Sequence, residues 1–377
     1  MSRRRVLGLL VLLAGCSPVG PDSTEWVYRI PDEIGDGWRT SSLAQAGLDE
    51  ARLTLLMRIL GQNPNHRVHG IVIAVDGALA FEEYFPGKTH PTFGEVPVQF
   101  SRERKHGLSS VTKSVTATLL GIAIDRGFIS SLDERVFDFF PEYADLRVGR
   151  KGDITLKHLA TMSAGLQWDE QTYPIGDAHN DITQWIRFQG DRLRFVLERP
   201  LVAEPGVEFT YNGGLTNVLG EVIRRASGMR LDQFAEAYLF GPLGITDYAW
   251  YELDPDFVYA SGDLSLRPRD AAKLGQLYLQ DGEWGGERVL SPAWVESSKM
   301  PAVPTGQSEG YTSYSYGWWT TSGPLGREAF AALGWGEQAI IVTPEFHMIA
   351  VFTGGSYWED PLITPYGMMV EFVIPSR

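Results

Sequence analysis

The chain holds one cysteine in 377 residues, at position 16. That excludes a disulfide framework, a cysteine-ligated zinc site and a paired-thiol redox centre. No Gly-x-Ser-x-Gly elbow is present, which removes the nucleophile of an α/β-hydrolase triad. No His-Glu-x-x-His, phosphate-binding loop or dinucleotide fingerprint occurs, so no metal or cofactor is expected. His66 and His69 lie close in sequence with no third ligand in view, and they read as surface histidines. Basic residues are outnumbered, 33 Lys and Arg against 47 Asp and Glu, for a net charge of -14. An acidic chain without a basic block repels phosphate backbones, so no nucleic-acid partner is expected. Internal repeats and low-complexity tracts are also missing.

Long apolar runs are lacking too. The longest near the start, Val6–Ala14, is too short to span a bilayer. It follows Arg3, Arg4 and Arg5 and leads into Leu13-Ala14-Gly15-Cys16. Such a segment is similar to a bacterial lipobox signal, in which the cysteine is lipidated and the preceding residues are removed. The expectation is a processed segment 1–16, a tether over 17–45 rich in Pro, Gly, Asp and Ser, and a folded domain over 46–377. Ser17 in place of an aspartate implies an outer-membrane anchor facing the periplasm of a bacterial envelope. The lipid would be the membrane partner.

What remains is globular: 44 % hydrophobic and 21 % charged residues. Apolar spacing predicts a helix from Leu48-Asp49 to Gly61. Two β runs follow, joined by Asp76-Gly77, a strong hairpin signal. Residues 130–265 read as mostly helical. "YTSYSYGWWT" reads as one aromatic strand, with Trp318 and Trp319 on its core and surface faces. "EQAIIVTPEFHMIAVFTGG" reads as two strands turning at Thr343-Pro344-Glu345, and a last helix opens near Thr364-Pro365. Strands at both chain ends with helices between them predict an α+β lobe whose antiparallel sheet is flanked by helices, with a mostly helical lobe inserted. A cleft between lobes is the natural site.

The chemistry concentrates in "SSVTKSVTATLLGIAIDRG", 109–127. Ser110 and Lys113 stand three apart, on one face of a helix. Val111, Val115, Thr118, Leu119 and Ile122 repeat at helical spacing. Ala117, Gly121 and Ala123 leave room for close neighbours. A serine hydroxyl is a weak nucleophile until a base takes its proton, and a Ser-x-x-Lys can supply that base. Taken alone, the pair is equally a polar first turn on a core helix.

Several motifs in order make the chain resemble the serine β-lactamase and penicillin-binding-protein superfamily. Besides the Ser110 segment these are "ITLKHLATMSAGLQWDE", "EPGVEFTYNGGLTNVLGEVIRRASG", "ASGDLSLRPRDAAKLGQLYLQDG" and "RVLSPAWVE". The closer branch is that of class C-related esterases and 6-aminohexanoate-dimer hydrolases. The resemblance implies a β-lactamase/transpeptidase-like fold and a small ester or amide substrate. It makes Ser110 the nucleophile, Lys113 its activating lysine and Tyr211 the tyrosine of a Tyr-x-Asn motif. Lys113 and Tyr211 both remain open as the general base. Two departures stand out. Gly213 takes the slot of the motif's asparagine. Gly334-Trp335-Gly336 takes the place of the Lys/His-Thr/Ser-Gly strand, so the cation that would pair with a substrate carboxylate is missing and Trp335 offers an apolar wall. The first argues against efficient β-lactam hydrolysis, and the second favours neutral esters or amides over carboxylate-bearing ones. Ser110's backbone N–H is one expected oxyanion donor. A second is expected near Glu337 or Gln338. Gly213, Trp335, Gly336, Glu337, Gln338 and Trp168 are the expected substrate-binding residues. A D-Ala-D-Ala carboxypeptidase, a β-lactamase, or a non-catalytic envelope binding protein on the same scaffold are the alternatives.

Overall fold

A computed structural model describes residues 26–91, 94–255, 257–307, 310–321 and 323–377. The segment that contains Cys16 lies outside the described residues.

A nine-stranded sheet organises the larger lobe. Across it the strands run Arg39–Thr40, Ala78–Tyr84, Val68–Val75, Met348–Gly354, Gln338–Thr343, Phe330–Gly334, Trp318–Thr321, Tyr311–Ser315 and Val303–Pro304. Strands from the two ends of the chain thus meet at its centre, where Val72 faces Val351 in an antiparallel pair. The turn between Val68–Val75 and Ala78–Tyr84 is Asp76-Gly77, both at positive φ (50° and 76°). That pair of left-handed residues matches the twist of a two-residue hairpin.

Alternation along the central strands sorts side chains to two sides. Val72, Ala74, Ile340, Val342, Ile349 and Val351 join a core with the Ser110 helix and the helix Pro268–Leu279. Ile71, Ile73, Ala350 and Phe352 join a second core with Leu53, Leu56 and Leu60 of the helix Glu50–Gln62 and with Met369 near the C-terminus. The carboxylate of Asp49 accepts from Ala51 N–H at 2.9 Å and caps that helix where the sequence placed its start.

Three readings need correction. Residues 26–45 are not a tether. Trp26 Nε1 donates to Glu83, Tyr28 OH to Ala80 O, and Arg39–Thr40 pairs in parallel with Ala78–Leu79; Trp38 and Leu43 are buried. Apolar anchors spaced among the Pro, Gly and Asp residues hold an irregular chain against the sheet edge. The aromatic run is a hairpin, not one strand: Tyr316 and Gly317 take positive φ (38° and 85°) and Ser315 pairs with Trp318. Trp318 and Trp319 are consequently both buried, because the face expected to meet solvent packs on other aromatics.

The second lobe carries the helices Leu156–Ala160, Asp181–Arg187, Arg192–Leu197, Gly213–Ser227 and Leu231–Ala235. Small β pairings close it, among them His106–Gly107 with Leu264–Leu266. The helix Thr112–Asp125 runs between the lobes. Ser114 Oγ donates to Gly317 O on the sheet side, and Thr116 Oγ1 to Ala260 O on the helical side, each at 2.6 Å. Its small residues serve the crossing. A Cβ at Gly121 would stand 2.4 Å from the Trp294 ring, so only glycine admits that indole.

Candidate active site

Every residue from 106 to 123 is buried except Ser110, which is partly open. A hydroxyl is thus the one part of this segment that the fold presents to the cleft. Leu108 packs in the core, Ser109 takes φ of 46°, and a single 3-10 turn Ser109–Val111 feeds into the helix.

Lys113 is 4 % exposed. Its Nζ donates to Ser110 Oγ at 2.9 Å and to Ser261 O at 2.9 Å, and lies 4.9 Å from the centre of the Tyr211 ring. A buried amine is costly unless its donors are used, and here serine, carbonyl and aromatic face use them. Tyr211 stacks on Trp319, with centroids 5.7 Å apart and an interplanar angle of 29°. It stands just before the helix Gly213–Ser227, which Asn212 caps through its side-chain oxygen to Leu215 N–H. Asn217 of that helix donates to Gly213 O and Ser261 Oγ, each at 2.9 Å, and so ties the Tyr211 turn to the loop that holds Lys113.

These residues open on a cavity of about 260 Å³ lined by Ser110, Tyr211, Trp319, Leu333, Gly334 and Trp335 together with Glu170, Gln171, Ile175 and Ile182. From sequence, Trp168-Asp169-Glu170 reads equally as a cleft loop or a solvated turn, with no role assigned to Glu170. Its Oε2 accepts from Gly213 N–H at 2.8 Å and Trp168 Nε1 at 2.6 Å. Burial raises its pKa above the ordinary glutamate value, with Lys113 acting in the opposite sense. Trp168 therefore does not line the cavity; it lies behind Glu170 and holds it. Gly213 is at the site, through its backbone.

Two residues of the expected strand slot, Gly334 and Trp335, line the cavity, as does Leu333 before them. A Cβ built at Gly334 would stand 3.2 Å from Ser110 N, so this backbone passes directly beside the nucleophile candidate. Gly336, Glu337 and Gln338 lie past the bend. Gln338 is 1 % exposed, and its amide donates to the carbonyls of Trp335, Gly336 and Gly354, which leaves its side chain bracing the turn rather than meeting a ligand.

The histidines are a further correction. His66 and His69 are buried, not superficial. His69 Nδ1 lies 2.8 Å from His106 Nε2 and stacks on Phe100. His90 Nε2 lies 3.0 Å from Ser109 Oγ, which donates to Trp335 O at 3.0 Å. A brace of His90 and Ser109 thus joins the nucleophile turn to the strand end. Burial pushes the pKa of His90 and of His106 down to about 4.

A partly open serine hydrogen-bonded to a buried lysine, at a cleft between a sheet lobe and a helical lobe, defines a serine hydrolase of the β-lactamase/transpeptidase-like fold. The chain belongs to the Beta-lactamase family, whose match spans residues 57–359. It is 29 % identical to the 6-aminohexanoate-dimer hydrolase of Paenarthrobacter ureafaciens over 276 residues, covering 70 % of this chain and 68 % of that one. It is 29 % identical to the lovastatin esterase of Penicillium rubens over 191 residues, 46 % of each chain. The solved structure of EstCE1, a hydrolase with promiscuous acyltransferase activity, superposes with a TM-score of 0.64 at 19 % identity, covering 86 % of this chain and 98 % of that one. That last likeness is one of fold.

Proposed function

We propose that this chain cleaves ester or amide bonds of small molecules through an acyl-enzyme on Ser110. The observation that carries the reading is the 2.9 Å contact between Lys113 Nζ and Ser110 Oγ at the mouth of the cavity. A lysine takes a proton only in its neutral form, and a tyrosine gives or takes one most readily beside a cation. Lys113 and Tyr211 meet in one cluster, and in this reading they share the proton transfer. The pair removes the Ser110 proton as Oγ attacks the carbonyl carbon, and returns it to the leaving alcohol or amine. Water then repeats the attack on the acyl carbon and releases the acid with Ser110 restored. The backbone N–H of Ser110 and that of Trp335 are the oxyanion donors in this reading; Gly334, which would not admit a side chain beside Ser110 N, keeps the approach open.

The named relatives include a 6-aminohexanoate-dimer hydrolase and an esterase, and this chain is read within that range. The alternatives of β-lactamase and D-Ala-D-Ala carboxypeptidase fit less well. Gly213 supplies no asparagine amide, and Trp335 stands where a cation would meet a carboxylate. A panel of p-nitrophenyl butyrate, a p-nitroanilide and nitrocefin tests this. Turnover of the first two, lost in Lys113→Met, is expected; turnover of nitrocefin at the greater kcat/KM would refute it.

The reading extends to location. Lipid on Cys16 would hold the enzyme at a bacterial envelope membrane, outer membrane facing periplasm, as the Leu13–Cys16 tetrad and the preceding arginines suggest. Incorporation of a labelled palmitate analogue, abolished in Cys16→Ser, is the expected result; equal labelling of the variant would overturn it.

A further inference from the structure

The cavity beside Ser110 carries charge of one sign. Among the described residues that line it, Glu170 is the one acidic or basic side chain; the rest are serine, tyrosine, glutamine, glycine and apolar groups. Trp335 is among the apolar groups of that lining. Lys113 is not part of that lining: it is 4 % exposed and committed to Ser110 Oγ and Ser261 O.

Glu170 is held as a site residue is held. Two N–H donors, from Gly213 and Trp168, converge on Oε2, at 2.8 and 2.6 Å. Neither bond uses Oε1. The carboxylate also stands where a side chain at 213 would project: a Cβ built on Gly213 would lie 3.2 Å from Oε2. The glycine therefore does more than omit an amide. It makes room for an anion and donates a hydrogen bond to it.

We propose that Glu170 sets the charge specificity of the cleft: it turns away substrates with a negative group next to the scissile bond and favours those with a cationic group there. The inference rests on Ser110 being the nucleophile. A charge held a few ångströms from a second one, in a site with an effective dielectric constant of about 20, changes affinity well beyond tenfold before screening. The surroundings of Glu170 do not cancel that charge. Asp181 opposes its ionisation but is paired with Arg199 at 3.0 Å. Tyr259 and Tyr314 feel its field as well. Lys113 acts on it in the opposite sense, but its Nζ is engaged by Ser110 Oγ and Ser261 O.

The test uses three p-nitrophenyl esters of equal chain length ending in sulfonate, methyl or trimethylammonium. None of these end groups titrates in the working range. The ratio of kcat/KM for the cationic over the anionic ester is expected to be at least about tenfold in the parent and to fall within about twofold of unity in Glu170→Gln. Without any variant, the parent's ratio should collapse as pH falls through the Glu170 titration, since protonation removes the charge; the neutral ester corrects for the general loss of rate. Fluorophosphonate labelling of Ser110 runs in parallel. Labelled protein with no charge preference, or with a preference that survives both the substitution and acid, overturns the assignment to Glu170. Protein that takes no label overturns the nucleophile and this inference together.

Discussion

Gly317→Ala should injure both the fold and the helix that carries Lys113. Gly317 turns the Tyr311–Thr321 hairpin at φ of 85°. A Cβ there would stand 2.6 Å from Ala117 Cβ, 3.0 Å from Lys113 O and 3.1 Å from Ser114 Cα. Two costs add. A non-glycine residue at positive φ costs about 1–2 kcal/mol. Overpacking a filled interior costs about 1–3 kcal/mol more, and here the obstacle is backbone that cannot rotate away. The sum is about 2–5 kcal/mol. With an unfolding entropy of about 2.1 cal/mol/K per residue over roughly 350 folded residues, that is about 3–7 °C in Tm. Relief requires the Lys113 carbonyl to move, and a displacement near 1 Å at a catalytic group costs about a hundredfold in rate. Gly306→Ala is the control, since Gly306 has φ of 79° but nothing within 4 Å of its would-be Cβ. Thermal melts and p-nitrophenyl butyrate kinetics on both variants separate the two costs. The reasoning fails if Gly317→Ala is no less stable than Gly306→Ala and retains parental activity.

Other consequences are as direct. His90 and His106 have folded pKa values near 4 against about 6.5 unfolded, because burial penalises their charged forms. The unfolded chain therefore binds more protons between pH 6.5 and 4, and stability should fall across that window by about 3 kcal/mol per histidine; urea midpoints that stay flat from pH 7 to 5 would contradict this. Tyr211→Phe keeps the ring beneath Lys113 and removes only the hydroxyl, so kcat should fall about a hundredfold or more with little change in Tm; a loss under threefold would take Tyr211 out of the proton transfer. Gly334→Ala should cost at least about tenfold in kcat/KM, because the added methyl would lie 2.4 Å from Leu108 O and 3.2 Å from Ser110 N; parental kinetics would mean that this strand does not border the reacting carbonyl.

Local chemistry made much of the fold legible. Asp76-Gly77 announced its hairpin, Asp49 its helix start, and the small residues at 117 and 121 a crowded crossing. What was missed depended on contacts between distant segments. Nothing within "WDEQ" tells that Trp168 Nε1 and Gly213 N–H, 43 residues beyond Glu170, converge on one carboxylate oxygen. His69 looks like a surface residue until His106 and Phe100 fold around it. The turn at Tyr316-Gly317 hid inside an aromatic run because tyrosine seldom takes positive φ; the glycine was the available signal.

The central claim is that Ser110 carries the acyl group. Mass spectrometry of protein spanning residues 17–377, after exposure to a fluorophosphonate, tests it most directly. The account predicts one adduct, on the peptide that contains Ser110, and its loss together with ester turnover in Ser110→Ala. An unlabelled Ser110, or turnover that survives Ser110→Ala, would contradict it.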